Sequence, residues 1–394
     1  MKRVFLIVLA VVFWMNFTKA QKIKTGVVVV GNGNSATAAA IQSAVSGAKT
    51  TLILTAQDFE VSASNGKQLS GIEAELLKRI AGNDNPALVD YGKVKPVIVG
   101  WTDTLKNLSV IKDTGIQKLK RSGSGWNIML TSGSTVKADV MVNADETGKI
   151  SGALQLQDSP LVWNAFNYND FLYRTSVASG FTPQKDSANV LIFSRFLKPD
   201  QENLISLNNA SQSFAAGQAA GAIAAYAAFF KTKTSQANMK IIQGELLKYK
   251  VMLVPFADVA TTDSLFDAIQ KIGLSGFLKG EISNGNLYFR PGQEVLTREI
   301  KEPIKSFYYK AQIWFDDYKG EKMTLGSTLE MIAYVGGYSI DNITREVKKN
   351  WKKGYNFDSE FDLNQVVTRR EFAALSQYLK HFNVGLDKTG KAVR

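Results

Sequence analysis

The stretch "GVVVVGNGNSATAAAIQSAVSGAKTTLILTAQ", Gly26 to Gln57, decides how the chain folds. Four valines in a row suit a parallel strand covered on both faces, because such a strand has no solvent side to alternate with. A glycine-rich turn follows, then an alanine-rich segment without proline, then a second apolar run, "TTLIL". That order predicts strands over 26–30 and 50–54 and a helix over 35–46, a βαβ unit of the Rossmann type.

The turn, "GNGNSA", fits G-x-G-x-x-A. Gly31 allows a sharp exit from the strand, Gly33 lets a pyrophosphate approach the backbone, and Ala36 keeps helix and strand close. The helix amino end offers free N–H groups and partial positive charge to phosphate, to which Asn34 and Ser35 add side-chain donors. Strand before and helix after are the context that gives this short motif its value. One position departs from it. The second strand runs into Thr55, where such a unit presents a carboxylate to the adenosine ribose. A charge-assisted bond of that kind contributes about 1.5–3 kcal/mol, so its loss weakens binding roughly ten- to a hundredfold and leaves the phosphate cradle in place. Asp58 and Glu60 are near enough in sequence to substitute if the loop folds back.

Outward from this unit, Leu69, Ile72, Leu76, Leu77 and Ile80 follow helical spacing. Residues from about 94 to 145 read as short antiparallel strands, clearest in "GWNIMLTSGSTVKADVMVNAD", where apolar residues alternate on either side of "SGS". "SANVLIFSRFLK" is a strand leading to a loop, and a helix follows over 211–230. Gly217, Ala219, Ala220 and Gly221 leave one side of that helix almost bare, fit for a neighbouring backbone or a flat ligand. Beyond Phe256, "DSLFDAIQKIGLSGFLKG" is an amphipathic helix with a glycine stop. "VLTREI" and "VVTRREF" form a weak internal repeat, Thr297 to Thr368, in which threonine precedes an acid and can cap a helix.

Bulk composition narrows the chemistry. The chain has 394 residues, no cysteine and one histidine, His381. Thiol chemistry and cysteine-held metals are excluded, and histidine-based catalysis and zinc sites nearly so; no metal site is expected. Redox or group-transfer chemistry must come from a borrowed group or from carboxylates. Lys2 and Arg3, the apolar run Val4 to Trp14 and the small residues Thr18 and Ala20 read as an export signal over 1–20. A membrane anchor is the alternative, although a span needs roughly 20 apolar residues; no later stretch qualifies. Losing Lys2, Arg3 and Lys19 lowers the formal charge from +12 to +9. The excess is dispersed apart from "REVKKNWKKGY", Arg345 to Tyr355, whose basic residues beside Trp351 could grip an acidic polymer, with a solvated helix face the favoured reading; nucleic acid is not expected as a partner of an exported chain.

Taken in order, these stretches resemble FAD-dependent oxidoreductases of the two-dinucleotide-binding-domain type, especially a secreted bacterial group. The matching segments are "VVVVGNGNSATAAAIQSAVSGAK", "VKADVMVNADETG", "DSANVLIFSRFLK", "ASQSFAAGQAAGAIAAYAAF" and "MKIIQGELLKYKVMLVP", with "GQAAG" the most specific. The resemblance implies an α/β fold: a Rossmann-like FAD-binding domain over 21–254 with a β-rich insertion (about 94–145), then a mainly helical domain over 255–394. It implies FAD as cofactor, with Gly31, Gly33, Asn34, Ser35 and Ala36 around the pyrophosphate and Thr55 at the ribose position. Arg195 matches a position near the flavin, and a helix starting near Gly217, Gln218 and Ala219 would point at the flavin ring. Departures are Thr55, "NAD" at Asn143 to Asp145 where the family has Asp-Ala-Thr, Asn208 or a neighbour in place of an arginine, and a short stretch between Leu54 and Lys95. The carboxyl-terminal zone resembles an S-layer homology module, which implies contact of Thr297, Arg298, Thr368 and Arg369 with an anionic envelope polysaccharide; a helical cap that only packs on the first domain is the favoured alternative.

Two functions follow. One is an exported FAD-binding oxidoreductase of the periplasm or cell envelope, acting on an unidentified small molecule. The other is a flavin-free envelope binding or structural protein that retains the flavoprotein fold without catalysis. An NAD(P)-dependent dehydrogenase is weaker, because the hairpin and "GQAAG" belong to flavin proteins. Catalytic residues are unassigned. Asp170, Tyr173 and Arg174 are candidates by location only, and turn or core roles are the favoured reading.

Overall fold

The computed structural model describes residues 21–62, 69–82, 90–156, 160–181, 188–198, 200–207 and 212–393. The export segment expected at 1–20 and the position of Asn208 lie outside the described residues.

The chain opens with β1 (Lys22–Val30), α1 (Asn34–Val45) and β2 (Thr50–Ile53), the βαβ unit expected from the sequence. After α2 (Gly71–Ala81) and α3 (Val94–Thr104), β3 (Leu108–Ile111) adds to β2 in parallel. The hairpin strands β4 (Ile116–Ser122) and β5 (Gly125–Leu130) then lead into β6 (Thr135–Asn143), which runs parallel to β1 along its whole length. β6 has two partners on its other edge. Its first half pairs with β5, antiparallel from Trp126↔Ala138 to Met129↔Thr135. Its second half, from Met141 to Asn143, pairs in parallel with β10 (Leu204–Ser206). The result is a Rossmann-like parallel sheet, β3-β2-β1-β6-β10, with a hairpin fused to one corner.

The valine run explains itself in this frame. Val27 and Val29 face the large core under the helices, while Val28 and Val30 face a second cluster with Trp126, Ile128 and Met141 beneath the hairpin. Both faces of β1 are dry along Val27 to Val30, so both need apolar residues there. Residues 94–104 differ from expectation, forming α3 rather than a strand. Val94, Ile98 and Trp101 recur at helical spacing and are buried. Pro96 and Gly100 obscure that period, but proline is tolerated in a first helical turn.

Between the short α4 (Lys149–Ala153) and β10, a small sheet forms from β7 (Asn164–Ala165), β9 (Ala188–Ile192) and β8 (Ser176–Phe181). Next come α5 (Phe214–Phe230), α6 (Met239–Lys248) and α7 (Phe266–Ser275), which ends on Gly276 at φ 75°. The hairpin β11 (Glu281–Ser283) and β12 (Asn286–Tyr288) introduces the helical region. It contains α8 (Thr297–Phe307), α9 (Tyr309–Asp317), α10 (Leu325–Gly336), α11 (Ile340–Asn350) and α12 (Arg369–Leu375). One apolar cluster runs from Val27 to Phe382, so the sheet region and the helical region share buried side chains.

The repeat seen in the sequence has a third copy. Short extended segments at 294–296, 322–324 and 366–368 bridge one another in a closed ring: Leu296↔Lys322, Thr324↔Val366 and Glu294↔Thr368. At its centre Val295 N donates to Val367 O (3.1 Å), Val367 N to Met323 O (2.9 Å) and Met323 N to Val295 O (3.0 Å). All three side chains are fully buried. Each segment leads into a helix whose third residue, Glu299, Ser327 or Glu371, accepts from the backbone N–H preceding the helix. This register corrects the sequence alignment by one residue. Leu296, not Thr297, corresponds to Thr368; Thr368 caps its helix by accepting from Glu371 N (3.2 Å), whereas the Thr297 hydroxyl donates to Gly320 O (2.7 Å). Among the described residues, no helix is long and apolar enough to cross a membrane.

Candidate cofactor site

Strand order reverses beside β1: the chain proceeds to β2 and β3 on one side and returns to β6 and β10 on the other. The crevice at the carboxyl ends of β1 and β6 is therefore a topological switch point, where such sheets bind ligands. Gly31 occupies it with φ +143°, and a Cβ there would lie 2.8 Å from the carbonyl carbon of Ala144 and 3.1 Å from its side chain. Neither the dihedral nor the space admits another residue.

The amino end of α1 follows at once. Asn34 and Ser35 are buried, at 3% and 0% exposure, and no side chain caps the helix. Its first internal bond is Thr37 N to Gly33 O (3.1 Å); among the described residues no acceptor meets the N–H groups of Asn34, Ser35 or Ala36. Ser35 Oγ is likewise buried and, among the described residues, without a partner. Unsatisfied buried donors cost about 1–3 kcal/mol each. The helix end is thus built for acceptor atoms that the described residues do not supply, and this donor set fits a pyrophosphate.

The ribose end differs. Asn32 Oδ1 accepts from Thr55 N (2.8 Å) and Ala56 N (3.1 Å), and Asn32 Nδ2 donates to Thr55 Oγ1 (3.0 Å). Thr55 is spent on fastening the glycine turn to the end of β2. The following loop does fold back: Glu60 N donates to Asn32 O (2.9 Å), and Asn34 exchanges two bonds with the Ser62 backbone (2.8 and 2.9 Å). Of the two carboxylates considered as substitutes, Asp58 is engaged by Lys112 at 3.0 Å, whose hydrogen bond holds its carboxyl below the usual range. Glu60 is exposed beside the turn.

α5 starts at Phe214, capped by Ser213 Oγ accepting from Ala216 N (3.1 Å). Gly217, Gln218 and Ala219 therefore lie in its second turn, not at its start, and Gly217 N is spent on Ser213 O (3.0 Å). The bare side of the helix is taken by α1. A Cβ on Gly217 would lie 2.6 Å from Ser35 Cα, and one on Gly221 would lie 2.9 Å from Gln42 Cβ and 3.0 Å from Ala39 Cα. Gln218, 1% exposed, accepts from Ile72 N (2.9 Å) and donates to Gln42 Oε1 (2.7 Å). Because Ser35 meets Gly217 and Ala39 meets Gly221, the two helices run parallel, and their positive ends lie together at the switch point.

The other expected residues have these positions and partners. Arg195 is exposed on the turn after β9. Asn143 and Asp145 close their own turn: Asp145 N donates to Asn143 Oδ1 (3.1 Å), and the Asp145 carboxylate accepts from Thr147 and Ile150 N–H. Asp170 caps a short turn through Leu172 N (3.0 Å), and Tyr173 packs against both Phe166 and Tyr168. Arg174, 6% exposed, lies against Phe171 and Phe307. Asn32, Gln42 and Ser62 were not legible as parts of the site, since nothing in residue type marks an asparagine between two glycines as a staple. Among the described residues, no three His, Asp or Glu side chains gather as a metal site.

No family model matches the chain, and no curated protein matches it. Solved structures give remote likenesses. L-proline dehydrogenase from P. horikoshii is 16% identical over 32% of this chain and 23% of its own, with TM-score 0.22. Thioredoxin reductase from T. acidophilum is 15% identical over 30% and 34%, with TM-score 0.22. p-Nitrophenol 4-monooxygenase PnpA from Pseudomonas putida DLL-E4 is 12% identical over 64% and 90%, with TM-score 0.30. The chain spans about a quarter and a third of the length of the first two. The fold assignment stands on this chain's own strand order.

Proposed function

We propose that the chain binds FAD at the switch point between β1 and β6 and belongs functionally with flavin-dependent oxidoreductases. The observation that carries this is the uncapped, buried amino end of α1 with the unpartnered Ser35 hydroxyl, set behind a turn that only glycine can make. Gly31, Gly33, Asn34, Ser35 and Ala36 would hold the pyrophosphate. Glu60 would accept from the ribose hydroxyls in the role that Thr55 cannot fill. The adjoining positive ends of α1 and α5 favour negative charge on the ligand. Bound FAD supplies electron and hydride transfer, while the protein supplies position and electrostatics. The substrate is a small molecule of unassigned class. Export to the periplasm or cell surface, by way of residues 1–20, is part of this reading.

The purified chain should carry flavin absorbance, or gain it after incubation with FAD. Gly33→Glu should abolish binding by filling the pyrophosphate space, and Glu60→Gln should weaken it about tenfold. A chain that stays colourless after reconstitution, or a Gly33→Glu variant that binds normally, ends the proposal.

A second reading, attachment to an envelope polysaccharide, is supported by a groove of about 390 Å³ in the helical region. Tyr338, Tyr355 and Tyr378 line it with Glu346, Gln377 and Lys380. Flat aromatic faces suit sugar rings, and the polar groups suit their hydroxyls. Thr297 and Arg369 are buried in the ring and Thr368 is half-buried there, whereas Arg298 is exposed. Tyr378→Ala should release the chain from isolated envelope polysaccharide; undiminished retention refutes this groove.

A further inference from the structure

The amino-terminal edge of the parallel sheet, opposite the glycine turn, carries a surface that flavin binding does not use. Three adjoining hollows open there. One of about 510 Å³ is lined by Lys24, Lys49, Lys137, Lys231 and Phe229. It shares Phe229 and Gly47 with an apolar groove of about 340 Å³ bearing Tyr226, Phe230, Ile241 and Lys248. It shares Asp139 and Lys231 with a third hollow that adds Lys233.

Two properties of this face stand out from the rest of the surface. Phe229, Phe230 and Ile241 are 66%, 54% and 49% exposed and border one groove. Exposed apolar side chains scattered singly are ordinary, but a contiguous group marks a contact surface. Around them stand six lysines and only two carboxylates, Asp139 and Glu245, an excess of four positive charges. Lys231 pairs with Asp139 at 2.6 Å and Lys248 with Glu245 at 3.9 Å. Lys24, Lys49 and Lys137 have no carboxylate within ion-pair distance among the described residues. The carboxyl ends of α1 and α5 lie here too, and their dipoles offset only about one unit of that charge.

Chain direction adds a third observation. β1 enters the sheet at this edge, with Lys22 and Lys24 at its start, and the apolar run Val4 to Trp14 precedes it in sequence. Any chain that retains that run carries it tethered to the lysine-ringed face.

We propose that this face docks on a bilayer containing anionic lipid. Phe229, Phe230 and Ile241 enter the boundary between headgroups and acyl chains, and the lysines meet lipid phosphates. Apolar area combined with basic charge is the pairing that holds a protein at such an interface without spanning it. Charge complementarity selects the bilayer over a second copy of the chain, because two such faces would bring like charges together. Gly31 lies seven residues along β1 from Lys24, or about 23 Å. Docking therefore leaves the switch point turned toward water.

The test uses the chain from Gln21 onward, which contains every element described, so that residues 1–20 cannot contribute. Co-sedimentation is measured with vesicles of phosphatidylcholine alone and with vesicles of phosphatidylcholine and phosphatidylglycerol in equal parts. Binding is expected only to the second kind and should fall steeply with added salt. Lys24→Gln/Lys49→Gln/Lys137→Gln should lower partitioning by roughly fivefold per lysine, about a hundredfold together. Phe229→Ala/Phe230→Ala/Ile241→Ala should lower it by at least tenfold. All six positions are exposed, so both variants should keep the parent's unfolding midpoint. The proposal is overturned by failure to bind the anionic vesicles, or by binding that neither variant reduces. It is equally overturned by a dimer in gel filtration that the Phe229/Phe230/Ile241 variant dissociates while vesicles bind nothing.

Discussion

Replacing Gly217 with alanine asks whether α5 truly rests on α1. The added Cβ would stand 2.6 Å from Ser35 Cα and 2.7 Å from its carbonyl carbon, closer still to the oxygen, against ordinary contacts of 3.4–4 Å. The helices must separate by about 1 Å or the Ser35 backbone must move. Both helices are buried over most of their surface, so neither has room to retreat. Overpacking of this kind costs up to about 3 kcal/mol, and alanine returns about 1 kcal/mol in helix propensity, for a net loss near 2 kcal/mol. Gly100→Ala in α3 is the control. Nothing lies within 4 Å of its Cβ, so the propensity term acts alone and stabilises by about 0.5–1 kcal/mol. Urea unfolding followed by tryptophan fluorescence, with equal slopes, reads both changes. If the two substitutions move the midpoint in the same direction, the contact of Gly217 with Ser35 is wrong, and with it the joined positive ends at the switch point.

Further expectations rest on single side chains. Burial, together with Lys240 and Lys271, pushes the His381 imidazole down to about 3. Its unfolded value near 6.5 is higher, so the unfolded chain binds the extra proton first and stability is lost as pH falls below 6.5. The loss is about 2 kcal/mol by pH 5, and His381→Gln should flatten that part of the pH profile; parallel profiles would refute it. Arg369, 3% exposed, bonds Phe289 O (2.6 Å), Lys279 O and Glu299 (2.8 Å). Arg369→Met strands those acceptors and should destabilise by about 3 kcal/mol, measured by the same unfolding assay; a loss under 1 kcal/mol would contradict the buried role. Thr368→Ala should remove a helix cap and lower stability by about 1 kcal/mol, whereas Arg298→Ala should leave the midpoint unchanged.

The βαβ unit and the hairpin were legible because their signals are local. A doubly buried strand must be apolar throughout, and the G-x-G turn tolerates no substitute at Gly31. The parallel pairing of β3 was hidden, since four residues of mixed burial carry no clear period. The central copy of the repeat escaped because Met323-Thr324-Leu325-Gly326 lacks the arginine of its siblings, although Ser327 keeps the capping role of Glu299 and Glu371. At the site, the glycines announced themselves, while the staple from Asn32 to Thr55 and the use of Gly217 by Ser35 depend on partners more than twenty residues away. Residue type alone does not report such pairings.

The three-way bond cycle among Val295, Met323 and Val367 has no terminal member. A solenoid can lose its last unit and keep the others, because each unit leans only on its neighbours. Here every segment is flanked by both of the others, so subtracting one leaves two raw edges rather than a shorter array. A ribosome must also deliver Thr368 before Glu294 can find its mate, which defers completion of this region until synthesis is nearly over. Chains interrupted upstream of that point are expected to present unpaired backbone and a bare apolar hub, which makes them natural prey for proteases.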